Sequence, residues 1–574
     1  MTCKLSKSVG LFKKFSWFIT SLVGLFIVLL VEFLKKGGEI ISKKKVNASG
    51  YGDTGASYIK RALQQFDAHS YSPDEDIDWH NNTLRQRSRI LYTSSPVASS
   101  AINTVRTKAA GIGLSLQSSI DRDILGLTRD QAKAWQKRTE REFDIWARKK
   151  QNCDALGLNN FYELQQLAVK SWLMSGDVFA LVQRYEPTPT APYSLRLHLI
   201  EADRVCTPFE FAGSYGGITT GKVPEDKVGA GHKIYDGVEV DERGLITAYY
   251  IASDYPNKVL AKNIEYTRIP AYGEKTGLPN ILHVMESERP ESYRGVPYIA
   301  HDIEALLQLR RYTEASLMGA IVQCLFTAWV ITEQPTGNIP FNEAQSDVIR
   351  DRETGLVGAS APAGAQNIEA DYGDDDDDTN DYDMGPGTVT HLGKGERIVF
   401  GNPNIPTASF NDFLKAIVRL VGGDTELTYD VLSKEFNSSY SAARAAMQEA
   451  WEAIRMRRTW FIDDFCQPVY ELWLTEAVAR GRIKAPGFFT DPLVHDAWCG
   501  AQWIGPVPTS LDPRKEAQAD ETRIRSGVKT REQVIREQGG TDFDDVAEQL
   551  QYEQEIMEKI NGTTGGGESA DQGN

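Results

Sequence analysis

The run from Ala315 to Ile331, ASLMGAIVQCLFTAWVI, is nearly all apolar or small. It forms the second half of a segment that reads as one long helix from Pro297 to Ile331. A helix that is apolar on most sides must be covered on most sides, by its own chain or by neighbouring subunits. The remaining sequence must therefore supply that cover or belong to an assembly that does. At 574 residues the chain exceeds the usual size of one domain, which predicts two to four packed units.

The period of the hydrophobic pattern changes along the chain. It is helical from Trp79 to Ala110, with Pro96 in a first helical turn, Ser94 or Ser95 as its cap, and Gly111 and Gly113 as stops. Further amphipathic helices are predicted at 129–150 and from Phe161 to Ser175, the latter stopped by Gly176. The period then becomes two. Val178–Arg184, Leu195–Ile200, Ile234–Val240 and Ala248–Ile251 read as strands, with turns such as Asp236-Gly237 and Arg243-Gly244. A helical block followed by a β-rich one predicts an α+β fold. After the long helix, 333–404 reads as irregular, with the run Asp374–Asp378 as a solvated loop. Phe410–Val421 reads as a short helix stopped by Gly422-Gly423. Ser439–Cys466 reads as a second long helix, broken or kinked by Pro468. Three capped helices follow, opened by Asp512, Thr530 and Thr541, and 561–574 reads as a disordered tail.

The N-terminus is different in kind. Phe15 to Leu34 is almost wholly apolar, with Lys13 and Lys14 before it and Lys35 and Lys36 after it. As a helix it would span about 30 Å, enough for a bilayer. Two readings stay open: a membrane-associating segment, or a buried helix or extension added by a wrongly assigned start codon. The glycine- and lysine-rich stretch 37–56 reads as a linker.

Charge and site chemistry narrow the function. A net charge of −16 argues against a protein that coats nucleic acid, which needs clustered cations. It suits a wall that DNA slides past. Cys3, Cys153, Cys206, Cys324, Cys466 and Cys499 form no CxxC pair and read as reduced thiols, not as a metal site. No HExxH or GxSxG motif is present. Gly216–Val223, GGITTGKV, has the spacing of a phosphate-binding loop. Val223, however, stands where Ser or Thr would hold Mg²⁺. No catalytic, cofactor or metal residue is predicted. A chain of this size without a site points to a structural role. A packaging nuclease or ATPase, and a membrane-anchored assembly scaffold, are the alternatives.

Six ordered segments carry a resemblance. They are Arg85–Gly113, Phe143–Asp177, His198–Pro208, His283–Pro297 with its Arg-Gly-Val-Pro, Asn437–Arg444 and Leu511–Glu532. Together the chain resembles the lambda-family portal proteins of bacteriophages, the head-tail connectors. The apolar N-terminus and the Asp374–Asp378 run depart from that pattern. The resemblance implies a ring, typically of twelve subunits, at one capsid vertex of the virion, assembled in the host cytoplasm; contact with the inner membrane is expected only from the apolar segment Phe15–Leu34. It implies wing, stem, clip and crown regions. The terminase large subunit would dock first and head-completion or tail connector proteins later. Major capsid or scaffold protein would surround the ring, and double-stranded DNA would pass through it. By order, 57–296 would be the wing, 297–331 a stem helix and 332–405 the clip. Residues 406–421 would be the second stem helix and 422–438 the tunnel loop. Residues 439–510 would be the long helix and wing return, and 511–560 the crown. In the tunnel loop, Asp424, Glu426, Tyr429, Asp430 and Lys434 would face the channel. A connection of this kind can also simply pack its apolar residues on the core.

Overall fold

A computed structural model of the chain describes most of residues 55–564. Residues 1–54, 333–395, 400–409 and 565–574 lie outside it, with short stretches at 212–219, 259–263, 326–328, 436–438, 509–512 and 540–542 and a few scattered positions. The apolar segment Phe15–Leu34 and the Asp374–Asp378 run therefore lie outside the described residues. The chain divides into two units, 1–71 and 72–574.

Helix boundaries follow local chemistry. Phe161–Ser175 begins with a capping box, in which Asn160 Oδ1 accepts from the Glu163 amide at 2.8 Å and Glu163 accepts in return at 2.9 Å. It ends at Gly176, whose φ of 89° only glycine adopts without strain. Thr128 and Gln131 form the same box at the start of Arg129–Ala147. Trp79–Ser94 and Pro96–Ala109 are separated by Ser95, which sits at the cap position but makes no side-chain cap bond.

Every sheet is antiparallel among the described residues. Strands β2 (Asp177–Arg184), β3 (Leu195–Glu201) and β9 (Ile281–Met285) form a sheet in the order β3-β2-β9. Strands β4 (Thr220–Lys222), β5 (Lys233–Tyr235), β6 (Val238–Val240), β7 (Ile246–Ala252) and β8 (Tyr266–Pro270) form a meander. The predicted strand Ile234–Val240 is thus two strands. Asp236 and Gly237, at φ 41° and 87°, make the tight hairpin turn between them. Strands β1 (Ser115–Ser118) and β12 (Ala501–Ile504) pair across almost 400 positions of sequence.

The segment around the long helix departs from prediction. Helix Ile303–Leu325 begins six residues later than expected and stops short of Ile331. Strand β10 (Trp329–Thr332) follows and pairs with β11 (Glu396–Val399), so part of the segment expected to be irregular is a ladder. Trp, Val, Ile and Thr favour a strand there, and a short apolar run does not separate the two states by periodicity. Helix Phe410–Asp424 runs through Gly422-Gly423, which were expected to stop it. Gly422 is buried, and a Cβ there would lie 2.5 Å from the Leu427 carbonyl oxygen. That glycine permits a close approach; it does not break the helix. Pro468 sits in the first turn of Gln467–Ala479. A π-helical turn at Ile462–Cys466 joins that helix to Tyr440–Phe461 without interruption. The C-terminal helices are Pro513–Arg525, Arg531–Gly539 and Phe543–Thr564, the last reaching past the expected end at 560.

The main core is aromatic. Phe143 meets Trp473 edge-on at 5.1 Å and Phe161 at 5.7 Å, and Phe161 stacks on Phe465 at 5.9 Å. These rings join helices 129–147, 161–175 and 467–479 to the π-helical turn. A second apolar cluster, including Phe179, Val238, Tyr249 and Ile281, lies where the two larger sheets meet. No helix among the described residues is long and apolar enough to cross a membrane.

Candidate functional site

The segment expected at the channel is anchored to the core. Leu427, Val431 and Leu432 are buried in the main core, and Tyr429–Ser433 is a short helix. Asp424 ends the preceding helix and approaches His301 Nδ1 at 3.5 Å. Glu426 has φ 54° and meets the buried Arg457 at 2.8 Å. Arg457 also lies over the Tyr298 ring at 4.8 Å and 3.7 Å from Glu286. The Tyr429 hydroxyl donates to Glu435 at 2.9 Å, and Lys434, left-handed at φ 57°, closes the short helix. Asp430 lies in its first turn. The structure thus brings Asp424 and Glu426 to the root of the helix pair Ile303–Leu325 and Phe410–Asp424, and Tyr429, Asp430 and Lys434 to the short helix beside it.

At that root, Asp302 is buried and its Oδ2 has no hydrogen-bond partner among the described residues. Burial, and then the nearby Asp424, push its carboxyl up to about 7. Asp78, which precedes the helix Trp79–Ser94, is likewise pushed up to about 7, by burial and then by Asp236. A carboxyl raised in the folded state holds a proton that the unfolded chain releases. Its stabilising effect is complete below about pH 4 and is lost as pH rises through about 7. Asp302→Asn and Asp78→Asn should each flatten the fall in unfolding free energy across that window. Denaturant curves that stay parallel to those of the parent at every pH would refute the assignment.

Beneath the root lies a buried charge cluster. Arg294, of the Arg-Gly-Val-Pro segment, is fully buried. Its Nε and Nη2 donate to Asp177 at 2.6 and 3.2 Å. Its Nη groups also donate to the carbonyls of Val205 at 2.8 Å and Ala202 at 2.9 Å, and to the carbonyl of Asp236. Arg85 reaches Asp236 Oδ2 at 3.0 Å and donates through Nε to the Ser175 carbonyl at 3.2 Å. Burial alone would raise the Asp177 carboxyl; Arg294 and Arg85 outweigh it and hold the carboxyl well below the usual range. Burial keeps the adjacent His283, which stacks on Phe179 at 4.2 Å, below its ordinary value.

Asn81, Arg85 and Ser88 recur at spacings of four and three, which places them on one helix face. They bond the carbonyls of Gly295, Ser175 and Met174 respectively. A polar stripe therefore holds the C-terminal end of helix 161–175 against the Gly295 segment. Gly176 and Gly295 touch backbone to backbone: a Cβ on either would lie 2.3 or 2.1 Å from the other's carbonyl oxygen. Arg85, Asp177 and Arg294 come from three of the six resembling segments. Sequence spacing gave no sign that they meet.

Of the phosphate-loop spacing at Gly216–Val223, residues 216–219 lie outside the described residues. Thr220–Lys222 is a strand, and Val223 is buried with Phe211, Ile234 and Tyr250. A phosphate loop opens a helix at that point. Among the described residues no group of three His, Cys, Asp or Glu could hold a metal ion. Cys153, Cys206, Cys466 and Cys499 are free thiols, three of them buried.

Comparison with known proteins places these features. Residues 60–458 match the family described as "Phage portal protein, lambda family". Portal protein B of Escherichia phage lambda is 22% identical over 476 residues, covering 82% of each chain. The probable portal protein of Halomonas phage phiHAP-1 is 23% identical over 482 residues, covering 83% of this chain and 81% of its own. Among solved structures, a chain from the neck of a native gene transfer agent particle aligns with TM-score 0.37 and 12% identity, over 79% of this chain and 90% of that one. The family match spans well over half the sequence and includes both sides of the buried charge cluster, and the chain belongs to the lambda family of phage portal proteins, structural subunits of the head-tail connector and not enzymes.

Proposed function

We propose that this chain closes into a ring, of twelve copies on the family expectation, which forms the DNA conduit at one capsid vertex. The observation that carries it is the helix Ile303–Leu325. Leu306 and Leu309 are buried at its root, but further along Leu317, Met318 and Ile321 are 63%, 58% and 44% exposed. On the neighbouring helix Phe410–Asp424, Leu420 is 66% exposed. In a ring, a different face of the next subunit covers these residues; head-to-tail contacts close when the rotation allows. The helix pair serves as stem, the chain between β10 and β11 as clip, and the C-terminal helices as crown. The terminase large subunit and later head-completion or tail proteins dock on the clip, and capsid or scaffold protein surrounds the ring.

The test is assembly state. Leu317→Glu combined with Met318→Glu should leave the unfolding midpoint of the isolated chain nearly unchanged, since neither side chain is buried in it, and should abolish rings by electron microscopy and mass measurement. Unaltered rings would place the interface elsewhere.

The segment 422–438 borders the channel on this reading. Asp424, Glu426, Asp430 and Lys434 would make a mostly acidic edge that limits sticking of the duplex, with Tyr429 giving short-range contact. The probe is Asp430→Lys. It should leave rings intact and slow DNA passage most at low salt, where screening is weakest. Equal rates across the salt range would remove this segment from the channel.

A further inference from the structure

In this acidic chain a pocket of opposite sign lies between the helix Tyr440–Phe461 and the helix Pro513–Arg525. It has a volume of about 530 Å³. Arg444, Trp451, Arg455 and Arg458 come from the first helix, at spacings of seven, four and three that put them on one face. Lys515 and Arg523 come from the second, and Lys529 follows it. The carboxylates at the pocket are Glu516 and Asp520, and Asp520 is taken up by Arg523 at 3.0 Å and Lys529 at 3.9 Å.

Three guanidiniums are left without counter-charge. Arg444, Arg455 and Arg458 have no carboxylate within ion-pair distance among the described residues. Arg458 donates through Nε to the Ala109 carbonyl at 2.9 Å and through Nη2 to those of Lys108 and Pro506 at 2.5 and 2.7 Å. Neutral acceptors fix its orientation without neutralising it. Burial, then Arg455, push it down to about 10, which still leaves it charged at neutral pH. Trp451 is 5% exposed and its indole N–H has no hydrogen-bond partner among the described residues. The indole donor of Trp451 is buried and unmatched, which is costly unless an acceptor reaches it, while Arg444 and Arg455 stand exposed at the rim and carry charge that an anion can neutralise.

We propose that this pocket binds phosphate groups of a DNA backbone. The proposal rests on the portal reading, in which a duplex passes the subunit. Arg444 to Arg458 spans about 21 Å of helix, a length suited to a stiff polymer with one charge per ~3.4 Å of rise per strand. Guanidinium forks match phosphate oxygens, and the indole adds a neutral donor.

The experiment uses assembled full-length rings and a short fluorescent duplex, titrated by anisotropy over a range of salt. Arg444→Gln with Arg455→Gln changes two exposed side chains, so ring mass and unfolding midpoint should hold. Duplex affinity should fall about tenfold, and the slope of log affinity against log salt should shrink by about 2. Arg444→Lys with Arg455→Lys should keep most of the binding. Unchanged affinity and slope in intact rings would overturn the pocket while leaving the portal reading standing. So would a glutamate-rich peptide that binds the pocket where the duplex does not. A chain that forms no rings would sink both.

Discussion

Arg294→Ala is expected to abolish stable folding of the sheets and helices joined at the buried charge cluster and, with it, ring assembly. The side chain is fully buried and satisfies Asp177 together with three backbone carbonyls from two different turns. Removing it leaves Asp177 as a buried carboxylate with Arg85 at 3.7 Å and His283 at 3.5 Å as its remaining side-chain partners, and leaves the carbonyls of Val205 and Ala202 without that donor. Breaking a buried pair on one side costs about 3–5 kcal/mol, a large share of the 5–15 kcal/mol that holds a typical domain together. Arg294→Lys should recover little, because an ammonium cannot reach a carboxylate and separate carbonyls in one plane. The measurement is the denaturation midpoint of the soluble chain alongside the yield of rings. A loss below about 1 kcal/mol would mean that the cluster is solvated and has no structural weight.

Gly295→Ala should be nearly as damaging, by about 3 kcal/mol. The new methyl would sit 2.1 Å from the Gly176 carbonyl oxygen, and that neighbour is backbone, which cannot rotate away. Gly176→Ala adds a second penalty, because φ is 89° there. The two substitutions act on one contact, so the double variant should cost less than the sum of the singles. Strict additivity would show that the backbones separate freely.

Local signals were legible in the sequence where the chemistry was local. Helix Phe161–Ser175 could be bounded to the residue because Gly176 closes it in the next position. The turn at Asp236-Gly237 was likewise readable, although the two short strands it joins were merged into one. The family was readable from six ordered segments, but the reason for their residues was not. Arg85, Asp177, Asp236 and Arg294 are separated by 92, 59 and 58 positions, and no periodicity links residues that far apart. The end of the long helix was misjudged because an apolar run of small and β-branched residues fits helix and strand alike until a partner strand is known. Gly422-Gly423 was misjudged for the converse reason: a glycine chosen for close approach looks, in sequence, like one chosen to end a helix. In the segment 422–438, Leu427, Val431 and Leu432 lie in the core.

The ladder between β10 and β11 has a consequence for how such a chain can change. Trp329 faces Val399 and Thr332 faces Glu396, so the two ends of everything from 333 to 395 are held side by side. Once the ends are fixed, the entropy of closing the intervening chain grows only logarithmically, and doubling its length would cost about 0.6 kcal/mol. Insertions there, the acidic run among them, are nearly invisible to the fold below. Length and charge between 333 and 395 are therefore set apart from the buried arginines and the paired glycines, which answer to a separate constraint.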